Sequence, residues 1–162
     1  MRPLVATFLA VILPVSMLIG QAEQSSDADE FLAVAQRCTG SSRIEVLSCE
    51  HTRIGVFSTD EGRRRYFVQS NDYVQVAGYN GITNLGIILD ADGVVVSVRI
   101  LDSEDTRSFV KRLKTSGYLK QFTGYGGSGE FETVTGATVT SQAVNETVQR
   151  TVAFVGQLIE TL

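Results

Sequence analysis

Leu85-Gly86-Ile87-Ile88-Leu89-Asp90-Ala91-Asp92-Gly93-Val94-Val95-Val96-Ser97-Val98-Arg99-Ile100-Leu101 reads as two strands and the turn between them. Both flanks are rich in β-branched side chains, which suit a pleated, half-buried surface. The acidic, glycine-ended Asp90-Ala91-Asp92-Gly93 is the kind of turn that joins neighbouring antiparallel strands. From Val94 to Ile100 every second position or better is apolar, as expected of a central strand buried on at least one face. Towards the N-terminus, Arg65-Tyr66-Phe67-Val68-Gln69 and Tyr73-Val74-Gln75-Val76-Ala77-Gly78-Tyr79 share this composition. The β pattern therefore runs from Ile44 to Leu101 and predicts an antiparallel sheet with hairpins.

Beyond Asp105 the period becomes helical. Phe109, Val110 and Leu113, then Tyr118, Leu119 and Phe122, recur at helix-like spacing, with Lys111, Arg112 and Lys114 on the other face and a break at Gly117. A glycine-dense loop from Thr123 to Gly129 follows. The chain closes on an amphipathic helix whose stripe is Val144, Val148, Val152, Val155, Ile159 and Leu162. The fold class this order predicts is α+β: helices on one face of an antiparallel sheet, with a long C-terminal helix. Residues 44–162 form its single domain.

The first 22 residues differ from the rest. Arg2 precedes an uncharged apolar run, Leu4 to Gly20, which gives way to Gln21-Ala22-Glu23-Gln24-Ser25-Ser26-Asp27. This is an export segment, and two readings of it stay open. The small residues of Gly20-Gln21-Ala22 suit a cleaved signal peptide, while the length of the run is the lower limit for an uncleaved membrane anchor. Polar Gln21 to Glu30 reads as a tether, and Asp29 to Gln36 as the start of a helix, so residues 23–43 are tether plus N-terminal helix. In an exported chain, Cys38 and Cys49 read as one disulfide closing a small loop, with a buried reduced pair as the alternative. His51 adds only a weak metal signal, and no CxxCH haem motif is present. A net charge of −4 leaves no basic footprint for nucleic acid.

Chemistry concentrates before the last helix, at Glu132-Thr133-Val134-Thr135-Gly136-Ala137-Thr138-Val139-Thr140-Ser141. Four hydroxyls, on Thr135, Thr138, Thr140 and Ser141, surround Gly136-Ala137 where a long helix starts. A helix N-terminus offers unpaired amides and partial positive charge, and small residues allow close approach, so the stretch is physically suited to a phosphate. Helix capping alone explains one such hydroxyl without any ligand.

Thr135-Gly136-Ala137-Thr138-Val139-Thr140 resembles the [S/T]-G-A-T-x-[S/T] signature of the FMN-binding domain family. That family includes periplasmic flavin subunits of the Rnf and sodium-translocating NADH:quinone reductase complexes. Val76-Ala77-Gly78-Tyr79-Asn80-Gly81 is similar to its V-x-G-Y-x-G opening, the stretch from Leu89 to Leu101 to its D-x-x-G-x-I-x-x-V hairpin, and Asp105-Thr106 to its E-T pair. The resemblance implies FMN as cofactor, joined by a phosphoester to Thr138 by a dedicated flavin transferase. It further implies a cofactor-binding set of Thr135, Gly136, Ala137, Thr140, Ser141, Glu132, Asp105 and Thr106. Two positions depart from the pattern: Glu132 stands where the transferase signature has Asp, and Arg107-Ser108 where Pro-Gly often follows E-T.

The function implied is an exported electron carrier, periplasmic or on the outer face of the cytoplasmic membrane, working with a membrane-bound or periplasmic redox partner. Its main rival is a non-redox extracytoplasmic binding or sensory module of the same fold without flavin. A small flavin reductase acting on a soluble acceptor is a third reading, and nothing in the sequence suggests a substrate pocket with a general acid or base for it.

Overall fold

A computed structural model of the chain describes residues 15–49 and 52–161. The apolar run read as an export segment lies outside the described residues up to position 14, as does His51. Helix α1 spans Val15–Thr39, and strands β1 Glu45–Cys49, β2 Thr52–Ser58, β3 Arg64–Gln69, β4 Thr83–Asp90 and β5 Val95–Ser103 follow. Helices α2 (Arg107–Thr115) and α3 (Thr138–Ile159) complete the chain, with 3-10 turns at Ser70–Asp72 and Tyr118–Phe122. The strands form one antiparallel sheet in the order β1-β2-β3-β4-β5. This is the α+β class expected, with its long C-terminal helix.

The β4-β5 hairpin forms where the sequence places it. Asp90 Oδ1 accepts from the amides of Asp92 and Val94, and Gly93 takes a φ of 76° that favours glycine. Alternation then sorts the side chains. Tyr66 and Val68 enter the main core with Ile54, Leu85, Ile87, Leu89 and Val98, and Phe67 between them points to a second cluster. Val144, Val148, Val152 and Val155 of α3 close the main core together with Leu113 and Phe122. Burying each of these side chains stabilises the fold by about 1.5 to 3 kcal/mol.

The second cluster places α1 on the opposite face of the sheet from α3, where the sequence pattern puts all helices on one face. Phe31 and Ala35, one turn apart, pack against Phe57 and Phe67, with the Phe31 and Phe67 rings 5.6 Å apart. Alternating side chains made both faces of β2 and β3 apolar, and a second layer covers the extra face. Gln21 to Glu30, read as a tether, is helical within α1. No glycine or proline interrupts α1 between Gln21 and Thr39; Gly40 ends it at a φ of 74°, with its amide donating to Gln36 O. Among the described residues no helix is long and apolar enough to cross a membrane.

Tyr73 to Tyr79, whose composition predicts a strand, is irregular. The amides of Tyr73 and Val74 both donate to Ser70 O, and the Tyr73 hydroxyl donates to Arg53 O at 2.7 Å. Arg53 also forks onto Asp72, from Nε to Oδ2 at 2.9 Å and Nη2 to Oδ1 at 2.8 Å. These contacts use local turn donors and a phenol in place of a strand ladder.

The two cysteines lie on different elements. Cys38 is a free thiol near the C-terminal end of α1. Cys49 pairs with Thr52, next to Arg53, whose Nη1 donates to Asp27 O. Cys38 is free in this structure, and the Cys38–Cys49 bridge expected from the sequence is left to chemical mapping. Burial pushes the Cys38 thiol pKa up, against the opposing charges of Arg99 and Arg37. Iodoacetamide applied to the folded protein without reductant should label Cys38, slowly, because the thiolate is the reactive form. Peptide mapping that recovers Cys38 linked to Cys49 would contradict the arrangement.

Candidate functional site

Antiparallel pairing brings the start of β4 beside the end of β5, with Thr83 opposite Ser103. The loop before β4 and the turn after β5 consequently meet, and α3 begins beside them. Asp105, in that turn, is 4% exposed. Its Oδ2 accepts from the Tyr79 amide at 3.0 Å and the Thr140 hydroxyl at 2.7 Å, and its Oδ1 from the amides of Asn80 at 2.9 Å and Thr106 at 2.6 Å. Burial alone would raise its pKa, but the Thr140 hydroxyl and the Thr106, Asn80 and Tyr79 amides outweigh it and hold the carboxyl below its ordinary value. The approach requires glycine: a Cβ on Gly78 would overlap Asp105 Oδ2, and one on Gly81 would meet Glu104 Cβ at 2.7 Å.

The turn before α3 is built from backbone and one arginine. Ala137 N donates to Val134 O, and Arg112 Nη1 donates to Thr135 O at 2.9 Å. Gly136 sits at a φ of 76°, and a Cβ there would run into the Arg112 guanidinium. Ser141 Oγ ties the turn to the helix, accepting from Val134 N at 3.0 Å and donating to Thr138 O at 2.9 Å. Ala137 is the N-cap of α3, and no side chain caps the helix. Its first-turn amides, beginning with Thr138, thus keep free donors at the positive end of a long helix.

Of the four hydroxyls singled out by sequence, Thr140 and Ser141 are buried and bonded within the protein. Thr135 and Thr138 are exposed. Thr138 alone of these two borders a cleft of about 170 Å³, lined by Tyr79, Phe109, Gly136, Ala137, Thr138, Val139 and Thr140. The Tyr79 and Phe109 rings meet edge to face with centroids 5.3 Å apart, and Tyr79 is 65% exposed. Glu132 is exposed outside this cleft; its amide donates to Gln121 Oε1, and its carbonyl accepts from Gln121 and Asn145. Thr106 is the N-cap of α2. The structure therefore gathers Gly136, Ala137, Thr138 and Thr140 at the cleft, whereas Asp105, Thr106, Glu132, Thr135 and Ser141 do not line it.

Sequence reasoning passed over Tyr79, Phe109 and Arg112. Tyr79 lay inside a segment read as a strand, Phe109 was counted with a core stripe, and Arg112 with the solvent face of α2. The Gly-Tyr-x-Gly spacing was the available signal for Tyr79. A larger open groove of about 1110 Å³, between Thr39–Glu45 and the β2-β3 hairpin, carries none of these features.

Residues 78–153 match the family model of the FMN-binding domain. Among curated proteins, 98 residues align at 29% identity with a subunit of the ion-translocating oxidoreductase complex of Buchnera aphidicola subsp. Acyrthosiphon pisum (strain APS), covering 50% of this chain and 58% of that protein. Over 93 residues the chain is 32% identical to the identically named protein of Vibrio vulnificus (strain YJ016), covering 48% of this chain and 44% of that one. The chain spans about half the length of the curated relatives it matches. The matched segment runs from Gly78, in the loop that carries Tyr79, into the last turns of α3.

The residues present fit FMN. Apolar walls from Tyr79, Phe109 and Val139 suit a flat aromatic ring system, and the uncapped first turn of α3 with the Thr138 hydroxyl suits a phosphate. Residues 78–153 thus match the FMN-binding domain family, and the match supports FMN as the cofactor of this segment.

Proposed function

We propose that the chain is an exported electron carrier whose FMN is joined to Thr138 Oγ1 by a phosphoester, and that it exchanges electrons with a membrane-bound or periplasmic partner. The observation that carries the assignment of Thr138 is its contrast with its neighbours. Thr140 and Ser141 spend their hydroxyls on Asp105 and on backbone groups, whereas Thr138 is exposed on the cleft, and no hydrogen bond to its hydroxyl is present among the described residues. In the transferase step the phosphoanhydride bond of an activated FMN donor, a flavin dinucleotide, breaks as the new P–O bond to Thr138 Oγ1 forms; the donor's nucleoside monophosphate leaves with the hydroxyl proton, and the chain gains one FMN less one water. The first turn of α3 favours the remaining phosphate charge by about 0.3 to 1 kcal/mol.

Bound FMN supplies reversible electron uptake on its ring system. The chain's own part is to bind and orient: Tyr79, Phe109 and Val139 would flank the ring system, Arg112 and Gly136 shape the turn, and the first-turn amides of α3 would hold the phosphate. A fixed linkage keeps the cofactor with the protein outside the cell membrane, where a dissociable one would be lost by diffusion. The similarity to subunits of ion-translocating oxidoreductase complexes supports a membrane redox partner.

The test is to produce the full chain with a flavin transferase and recover the exported fraction. Yellow protein whose flavin stays with the polypeptide after denaturation is expected. Colourless exported protein from the same host would favour the flavin-free binding module.

A further inference from the structure

Three motifs distant in the chain converge on one carboxylate. Asp105 takes hydrogen bonds from the loop carrying Tyr79, from the start of α2 and from the first turn of α3. It does not itself line the apolar cleft, but two of its partners, Tyr79 and Thr140, do. A buried carboxylate is costly unless its lone pairs are matched by donors, and here four donors match them without a neighbouring cation in hydrogen-bond contact. A position that needed only to be filled would be served by an apolar side chain.

We propose that Asp105 is the positioning residue of the FMN site, holding Tyr79 at the mouth of the cleft beside Thr138. The proposal rests on the reading of this cleft as the flavin site. Its mechanics lie in the shared oxygen: Oδ2 accepts from both the Tyr79 amide and the Thr140 hydroxyl, so the Tyr79 backbone is fastened to the helix that presents Thr138. The Tyr79 ring is largely exposed, and its ring contact is one edge on Phe109. Its place is therefore decided by backbone anchoring more than by packing. Gly78 is the complement of this device, since any side chain there would push the loop off the carboxylate.

Asp105→Asn in the full chain removes the charge and turns one acceptor into a donor while keeping the shape. In the flavin-free protein, amide exchange at Tyr79 and Asn80 should become at least about tenfold faster, with protection in β3 and β4 unchanged. In the flavin-loaded protein, fluorescence should rise as the tyrosine that quenches it leaves the ring. Gly78→Ala should reproduce both effects with Asp105 intact, and Thr140→Ser should stay near wild type whereas Thr140→Val should not. Unchanged exchange at 79 and 80 together with unchanged fluorescence in Asp105→Asn and Gly78→Ala would overturn the proposal, as would a uniform loss of protection across the sheet. Absence of flavin from the wild-type chain would instead sink the reading of the cleft, and the exchange comparison on flavin-free protein would still decide whether Asp105 anchors the loop.

Discussion

Thr138→Ala is expected to abolish the covalent flavin while leaving the domain folded. In wild-type protein made beside a flavin transferase, the intact mass should exceed the polypeptide by one FMN less one water; in the variant that increment should be missing. Stability should change little, because Thr138 is exposed and the helix has no side-chain cap to lose. Surface substitutions of this kind stay within about 0.5 kcal/mol. Thr135→Ala is the matched control, an exposed hydroxyl three residues earlier that does not border the cleft, and it should keep the flavin. Ser141→Ala is a poorer control, since it strips a partner from the Val134 amide and loosens the turn itself. Glu132→Asp should preserve modification and Glu132→Ala should lower it. An undiminished mass increment in Thr138→Ala would remove the assignment.

Phe122→Ala is expected to cost about 3 to 5 kcal/mol, the range for deleting a buried aromatic side chain. Phe122 is fully buried, with the Tyr118 ring 5.4 Å and the Phe131 ring 4.6 Å from its centroid, and Phe131 in turn meets Tyr125 at 4.8 Å. These rings secure the segment from Thr123 to Val134, which otherwise has little regular structure; it is also tied to β5 by two backbone bonds between Gly124–Tyr125 and Val95 and by the Thr123 hydroxyl donating to Val96 O. The same segment delivers the chain to the turn before Thr138, so flavin attachment should fall along with stability. A urea titration followed by far-ultraviolet circular dichroism measures the loss from the shifted midpoint. A change below about 1 kcal/mol would mean that the aromatic cluster does not hold this segment.

The parts of the fold written in local pattern were legible: the β4-β5 hairpin from its alternating valines and acidic turn, and α3 from its valine stripe. The parts decided by tertiary partners were not. Tyr73 to Tyr79 has strand composition, yet Asp105 and Ser70 take the amides a strand would have paired. Gln21 to Glu30 is polar enough for a tether, and its helix follows from continuity with the residues that pack Phe31 on the sheet. At the site, residue types marked the right turn but not the division of labour within it. Thr138, Thr140 and Ser141 look alike in sequence, and only burial separates an available hydroxyl from two that are committed. Asp105, read as a cofactor contact, makes its bonds to the protein that surrounds the cleft.

The site of flavin attachment is decisive. Proteolysis of the purified, transferase-treated protein followed by tandem mass spectrometry of any flavin-bearing peptide locates the bond directly. The account predicts a single modified peptide spanning Thr135-Gly136-Ala137-Thr138-Val139-Thr140, with fragment ions that carry the added FMN only when they include Thr138. A modified peptide that excludes Thr138, or fragments that put the flavin on Thr135, Thr140 or Ser141, would contradict it.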